Sequence, residues 1–266
     1  MATTYNAQSK CLSIPDILES ILSHLDPQTL LTAAQQTCRT WRGVIHQSTS
    51  LQKALFFVPD EYSEKLKNPL LVQRFPSFFG KTKSSSSLLS SLDMITKPGK
   101  LEAYLRSEAS WRRMLVQQPP ISVVGMLSTA NGIWLDYREY YEIHVGSNGL
   151  TMGEFFELVV FGDWSRYFGW VNEFAWRRMS KPLKYEWARM EKMRNMTIKL
   201  DVVFFASSEE SCSDDSSSDE RLSKDVEIKN NIEAVYRKLN IQPEPLSIHP
   251  KANFWSARNI GDNLVA

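Results

Sequence analysis

Four histidines, three cysteines and a run of acid-flanked serines are the side chains of this 266-residue sequence best suited to chemistry. A histidine pair could hold a metal or work as acid and base, and a cysteine could act as nucleophile or ligand. His24, His46, His144 and His249 lie far apart, and none stands at metal-ligand spacing from another His or Cys. Cys11, Cys38 and Cys212 are odd in number and scattered, so they form no disulfide framework and suit a reducing compartment. Cys38 reads as a small buried apolar residue rather than a nucleophile. The sequence holds no Gly-x-Ser-x-Gly elbow and no phosphate-cradling glycine loop. The expectation is a chain that is not an enzyme and takes no cofactor and no metal.

The serines suggest regulation instead. Residues 207–220 read SSEESCSDDSSSDE, with six acids and no base. Ser207, Ser211, Ser216 and Ser217 each have an acid three positions on, a spacing that resembles acidophilic casein-type kinase sites. Each phosphate would add about −1.5 to −2 charge. Low hydropathy and like charge predict a disordered insert over 207–225. The stretch 173–199 has the opposite sign, with eight bases and three acids, a local charge of +5. Trp170, Trp176, Tyr185 and Trp187 are interleaved with it. It reads as an amphipathic segment with a solvated basic face and inward aromatics, or as a face for nucleic acid or an acidic peptide. The net charge of +1 argues against electrostatic nucleic-acid binding by the whole molecule.

The elements that would position a site begin at the N-terminus. Ile14, Ile17, Leu18, Ile21, Leu22 and Leu25 recur at offsets 0, 3, 4, 7, 8 and 11, one face of a helix with no misses. Pro15 suits its first position, Ser13 could cap it, and Asp16 and Glu19 complement its dipole. Asp26-Pro27 repeats the start signal for a second helix carrying Leu30, Leu31, Ala33 and Ala34. Cys38, Trp41, Val44 and Ile45 continue into a third.

Ile14-Pro15-Asp16-Ile17, Ile21-Leu22-Ser23-His24-Leu25, Asp26-Pro27, Leu30-Leu31 and Cys38-Arg39-Thr40-Trp41 together resemble an F-box, with Ile14 where Leu is more usual. The resemblance implies a partner, a Skp-family adaptor, and through it a cullin and a RING subunit. It also implies that the remainder of the chain holds a protein substrate. Ile14, Pro15, Ile17, Leu18, Ile21, Leu22, Leu25, Leu30, Leu31 and Trp41 are then the partner-binding candidates, or the residues that support them. Three short helices bury their own apolar area poorly, which suits a module completed by a partner's groove.

Three later segments extend the resemblance, to small filamentous-fungal F-box proteins. They are Leu51-Gln52-Lys53-Ala54-Leu55-Phe56-Phe57, Ser110-Trp111-Arg112-Arg113-Met114-Leu115 with Gln118-Pro119-Pro120, and Thr151-Met152-Gly153. By spacing, Trp111, Met114 and Leu115 pack inward from a helix, with Arg112 and Arg113 on its flank. Thr151 and Glu154 have capping-box spacing before an apolar run, Phe155 to Phe161. Residues 198–205 read as an inner strand, and 121–124 and 141–145 as weaker ones. Ile232, Val235, Tyr236 and Leu239 mark a late helix, and the serine-rich run 84–91 reads as a linker or exposed loop.

The expected fold is α+β and mostly helical: a three-helix F-box followed by an α+β domain with a small sheet. The expected divisions are a disordered tail at 1–10, the F-box at 11–50, an α+β domain at 51–206 and the acidic insert at 207–225. A C-terminal helix and tail at 226–266 would pack on the α+β domain. The sequence has no apolar run of transmembrane length and no signal-like N-terminus, so residence in the cytoplasm or nucleus, away from membranes, is expected. The expected function is substrate recognition for a Skp–cullin–RING ubiquitin ligase. The alternative is a Skp-bound scaffold or nucleic-acid-associated factor outside a ligase.

Overall fold

The structure, a computed structural model, describes residues 12, 14–79, 88–97, 99–131, 136–162, 170–176, 202–209, 216–246 and 249–256. It has an N-terminal helical region followed by a domain of helices and two small sheets. The N-terminal region holds α1 (Pro15–Leu22), a helical run α2, α3 (Arg39–Gln47) and α4 (Thr49–Ala54). The run α2 is built of an α turn (Pro27–Thr29), a π segment (Leu30–Ala34) and a last α turn (Gln35–Thr37). Short elements come next: β1 (Leu66–Lys67), α5 (Pro69–Arg74), a 3-10 turn (Pro76–Phe79), α6 (Asp93–Thr96), α7 (Leu101–Leu105), α8 (Ser110–Arg113) and β2 (Gln117–Gln118). Then come β3 (Val123–Asn131), β4 (Asp136–His144), α9 (Met152–Phe161), β5 (Trp170–Trp176), β6 (Val202–Glu209), α10 (Ser216–Lys238) and β7 (His249–Ser256).

The larger sheet has the order β5-β6-β3-β4-β7. β3 and β4 form an antiparallel hairpin in which Val124 faces Ile143, while β3 and β6 run parallel with Gly125 opposite Val203. A parallel pair needs a crossover, and the chain between β4 and β6 contains α9 and β5. β1 and β2 make a separate two-stranded sheet.

Helix α9 is the centre of the domain. Thr151 Oγ1 accepts from the Glu154 N–H at 3.3 Å, and Glu154 Oε2 accepts from the Thr151 N–H at 2.9 Å, closing the capping box that the spacing predicts. Almost every α9 residue is buried, including Phe155, Phe156, Leu158 and Val160. Phe75, Phe78, Trp111, Phe155 and Phe156 interlock around it with ring centroids 5.0–6.1 Å apart. The core therefore rests on aromatic edges and faces, which add to simple area burial.

Four sequence expectations change here. The acidic insert 207–225 is not disordered throughout: β6 runs to Glu209 and α10 begins at Ser216. The reason is that α10 extends beyond the acidic run to the Ile232 and Tyr236 anchors in the core, and bases in its last turn suit its dipole. The serine-rich run 84–91 is not wholly an exposed loop, because Leu88 and Leu89 are buried and Ser77 Oγ donates to the Leu88 carbonyl at 2.6 Å. Helix α8 stops at Arg113, so Met114 and Leu115 reach the core from extended backbone rather than from a helix face. Arg112 does not lie on a solvated flank, because it is ion-paired with the buried Glu157 of α9. The basic stretch between 177 and 199 lies outside the described residues, as does Ser13.

Candidate functional site

Residues 14–58 share one small core of their own. Leu18, Leu22, Leu30, Ala34, Val44, Ile45, Leu51 and Leu55 fill it, and Leu25, Leu31 and Trp41 pack at its margin. A helix turns about 100° per residue, so the apolar positions of α1 cover an arc of roughly 140°. That arc is wider than the core accepts, and the structure divides it. Leu18 and Leu22 are 0% exposed, whereas Ile14, Ile17 and Ile21 are 45%, 41% and 42% exposed. Leu12, which the helical spacing did not include and which precedes α1, is also exposed, at 40%. Pro15 stands in the open beside it at the first position of α1.

The ten partner-binding candidates thus fall into three groups. Ile14, Pro15, Ile17 and Ile21 are exposed; Leu18, Leu22 and Leu30 build the interior; Leu25, Leu31 and Trp41 are half-buried between. Cys38, expected to be buried, is exposed in extended backbone at the start of α3. The break between α2 and α3 places it outside both helices, so the periodicity that predicted burial does not apply to it.

Polar contacts fix the exposed stripe. Asp26 accepts from the Gln28 and Thr29 N–H groups, both at 3.0 Å. Hydrogen bonds from Thr29 hold its carboxyl below the ordinary range. Helix α1 starts without a side-chain cap, its N-cap position being Ile14. It is tied from the other side, where Ser48 Oγ donates to Glu19 Oε1 at 2.7 Å and accepts from the Leu51 N–H at 3.1 Å. Gln52 Nε2 donates to the Ile45 carbonyl at 2.7 Å, linking α3 to α4. Sequence reasoning missed Ser48, although a serine three residues before Leu51 is an ordinary cap signal.

The end of α4 joins this unit to the rest. Phe56 has φ of 62°, with the Phe57 N–H on the Gln52 carbonyl and the Phe56 N–H on the Lys53 carbonyl. That is a Schellman stop made with a phenylalanine where glycine is usual, and the ring is buried in compensation. The Phe56 carbonyl accepts from the Leu115 N–H at 2.7 Å. Gln118 Nε2 donates to the carbonyls of Lys53 at 3.0 Å and Val58 at 3.1 Å. Leu115 in turn bridges Thr151, and the Met152 N–H reaches the Met114 carbonyl at 2.8 Å. The three later segments of the sequence resemblance therefore meet in one knot.

Residues 15–58 match a family model described as F-box-like. Over this segment the chain is similar to F-box-like domains. No curated protein matches the chain, and no solved structure matches it. The F-box-like match supports a role in binding a Skp-family adaptor. Among the described residues, no group of three or more His, Cys, Asp or Glu side chains could hold a metal ion. No helix among them is long and apolar enough to cross a membrane.

Proposed function

We propose that this chain is the substrate-recognition subunit of a Skp–cullin–RING ubiquitin ligase, holding a protein substrate and doing no chemistry of its own. The observation that carries the reading is the divided stripe of α1. A helix whose inner half already has a core still presents Ile14, Ile17 and Ile21 to solvent in a row, with Leu12 before them. Burying each in a partner's helical groove is worth about 1 kcal/mol or more, so the row would contribute on the order of a hundredfold in affinity. The rest of the chain, anchored through the Phe56–Leu115 and Gln118 contacts, would present the substrate. The resemblance to fungal F-box proteins belongs to the same reading, as does residence in the cytoplasm or nucleus.

The test uses residues that face out. Ile17→Lys with Ile21→Lys is expected to abolish co-purification with a Skp-family adaptor and cullin while leaving thermal unfolding of the free chain near the wild-type midpoint. Leu18→Lys is the contrasting variant, expected to unfold the module because it places an ammonium in a dry core. Retained adaptor binding in the Ile17/Ile21 variant would overturn the interface. Adaptor recovered without cullin would overturn the ligase part.

A further inference from the structure

The π segment of α2 turns one side away from the F-box core. Leu31 packs against both hydrophobic cores of the molecule, so this segment forms the F-box wall of the seam with the second domain. A cleft of about 240 Å³ opens there. Phe75, Met114 and Trp111 are its buried floor, and Leu31 and Tyr104 are half-buried walls. Arg74 and Thr32 stand at the exposed mouth. An apolar cavity of roughly 150 Å³ is enough for a benzene ring, so this cleft takes a ring or short chain of a few more atoms.

Two further observations point to an occupant. Single-turn π segments inside helices recur at functional sites, because they widen the helix and reorient a few side chains. Here the widened turn is the one that lines the cleft, and Thr32 Oγ1 donates back to the Gln28 carbonyl at 2.8 Å. The second observation is the state of Arg74. Its contact to Asp93 is 3.7 Å, beyond hydrogen-bond reach. Asp93 is instead satisfied by Lys97 at 2.7 Å. The Arg74–Asp93 ion pair is thus a long one, and the exposed guanidinium keeps planar donors that Asp93 does not engage, at the mouth of an apolar cleft.

We propose that this seam cleft binds a small organic carboxylate, its aromatic or aliphatic body between Phe75, Trp111, Leu31 and Met114 and its carboxylate on Arg74. One wall belongs to the F-box-like domain and the other to the second domain, so an occupied cleft stiffens the junction between them. This site does not depend on the adaptor reading.

The experiment titrates the purified full chain with phenylacetate, 3-phenylpropionate, 4-phenylbutyrate and octanoate at millimolar concentrations, read by thermal unfolding and calorimetry. At least one acid is expected to stabilise the chain saturably. The uncharged 3-phenylpropanol should bind about tenfold more weakly than its acid, since a charge-assisted hydrogen bond is lost. Arg74→Gln should unfold at the wild-type temperature without ligand and lose about tenfold in acid affinity. Thr32→Trp, which fills the mouth and keeps Arg74, should also abolish binding. If no acid stabilises the chain, if acid and alcohol bind equally, or if Arg74→Gln binds as wild type does, the proposal is overturned.

Discussion

Arg112, Glu157 and Tyr236 come from three helices and meet in one buried network. The Arg112 guanidinium pairs with Glu157 Oε1 and donates to the Tyr236 hydroxyl at 2.8 Å. That hydroxyl donates to Glu157 Oε1 at 3.1 Å, and Glu157 Oε2 accepts from the Glu244 N–H at 3.0 Å. Every strong partner in it is paired, which is the condition under which buried charge is tolerated. Burial pushes the Tyr236 phenol well above its ordinary value of about 10, and the nearby Glu157 carboxylate adds to that. The unfolded phenol ionises near pH 10 while the folded one keeps its proton. The folded state then binds more protons, so stability falls above pH 10, at about 1.4 kcal/mol per pH unit for one group. Tyr236→Phe is expected to be less stable than wild type at pH 8, through its lost hydrogen bonds. The gap should close as urea midpoints are followed from pH 9 to 11. A gap independent of pH would contradict the raised phenol.

At the scale of elements, the fold depends on close approach between α8 and α9. A Cβ on Gly153 would lie 2.7 Å from the Arg112 carbonyl oxygen and 3.2 Å from its Cβ. Two effects oppose each other in Gly153→Ala. Alanine favours the helix by about 1 kcal/mol, whereas forcing two backbones apart in a packed core costs about 1–3 kcal/mol. The obstacle is backbone and not the end of a flexible chain, so the clash wins. The variant should melt several degrees below wild type in calorimetry. An unchanged or raised midpoint would show that α8 can withdraw. Gly149 serves the same knot from the loop before α9: its φ is +85°, and a Cβ there would come within 2.3 Å of the Pro120 side chain. The glycines of the GLTMG segment are thus explained by packing.

For the whole molecule, the question is how firmly the F-box-like domain is held to the second domain. The buried Gln118 side chain spans that junction, satisfying the carbonyls of Lys53 and Val58. Gln118→Ala removes this donor from the Val58 carbonyl, while the Lys53 carbonyl keeps the Phe56 N–H, at a cost of roughly 1–3 kcal/mol. In hydrogen exchange read by mass spectrometry, peptides covering residues 53–58 should lose protection more than those covering α9. Equal loss across both would mean that the junction opens only with the whole chain. A firm junction matters to the proposed function because it fixes where a held substrate points.

What the sequence determined by itself is local in origin. The stripe of α1, the Asp26 cap, the Thr151–Glu154 box and the apolar run of α9 depend on residues a few positions apart, and helical geometry alone specifies them. The strand expected at 198–205 appears as β6 at Val202–Glu209, inside the sheet between β5 and β3. Tertiary packing decided the rest. Periodicity gives the angle of a side chain around α1 but not what lies opposite it, so Ile17 and Leu18 look alike in sequence and are separated only by the core that Leu30 and Ile45 supply. The same holds for Arg112, whose carboxylate partner is 45 residues away and whose phenol partner is 124 away. No local pattern encodes a contact at that separation, because it exists only once α8, α9 and α10 have packed around a shared interior.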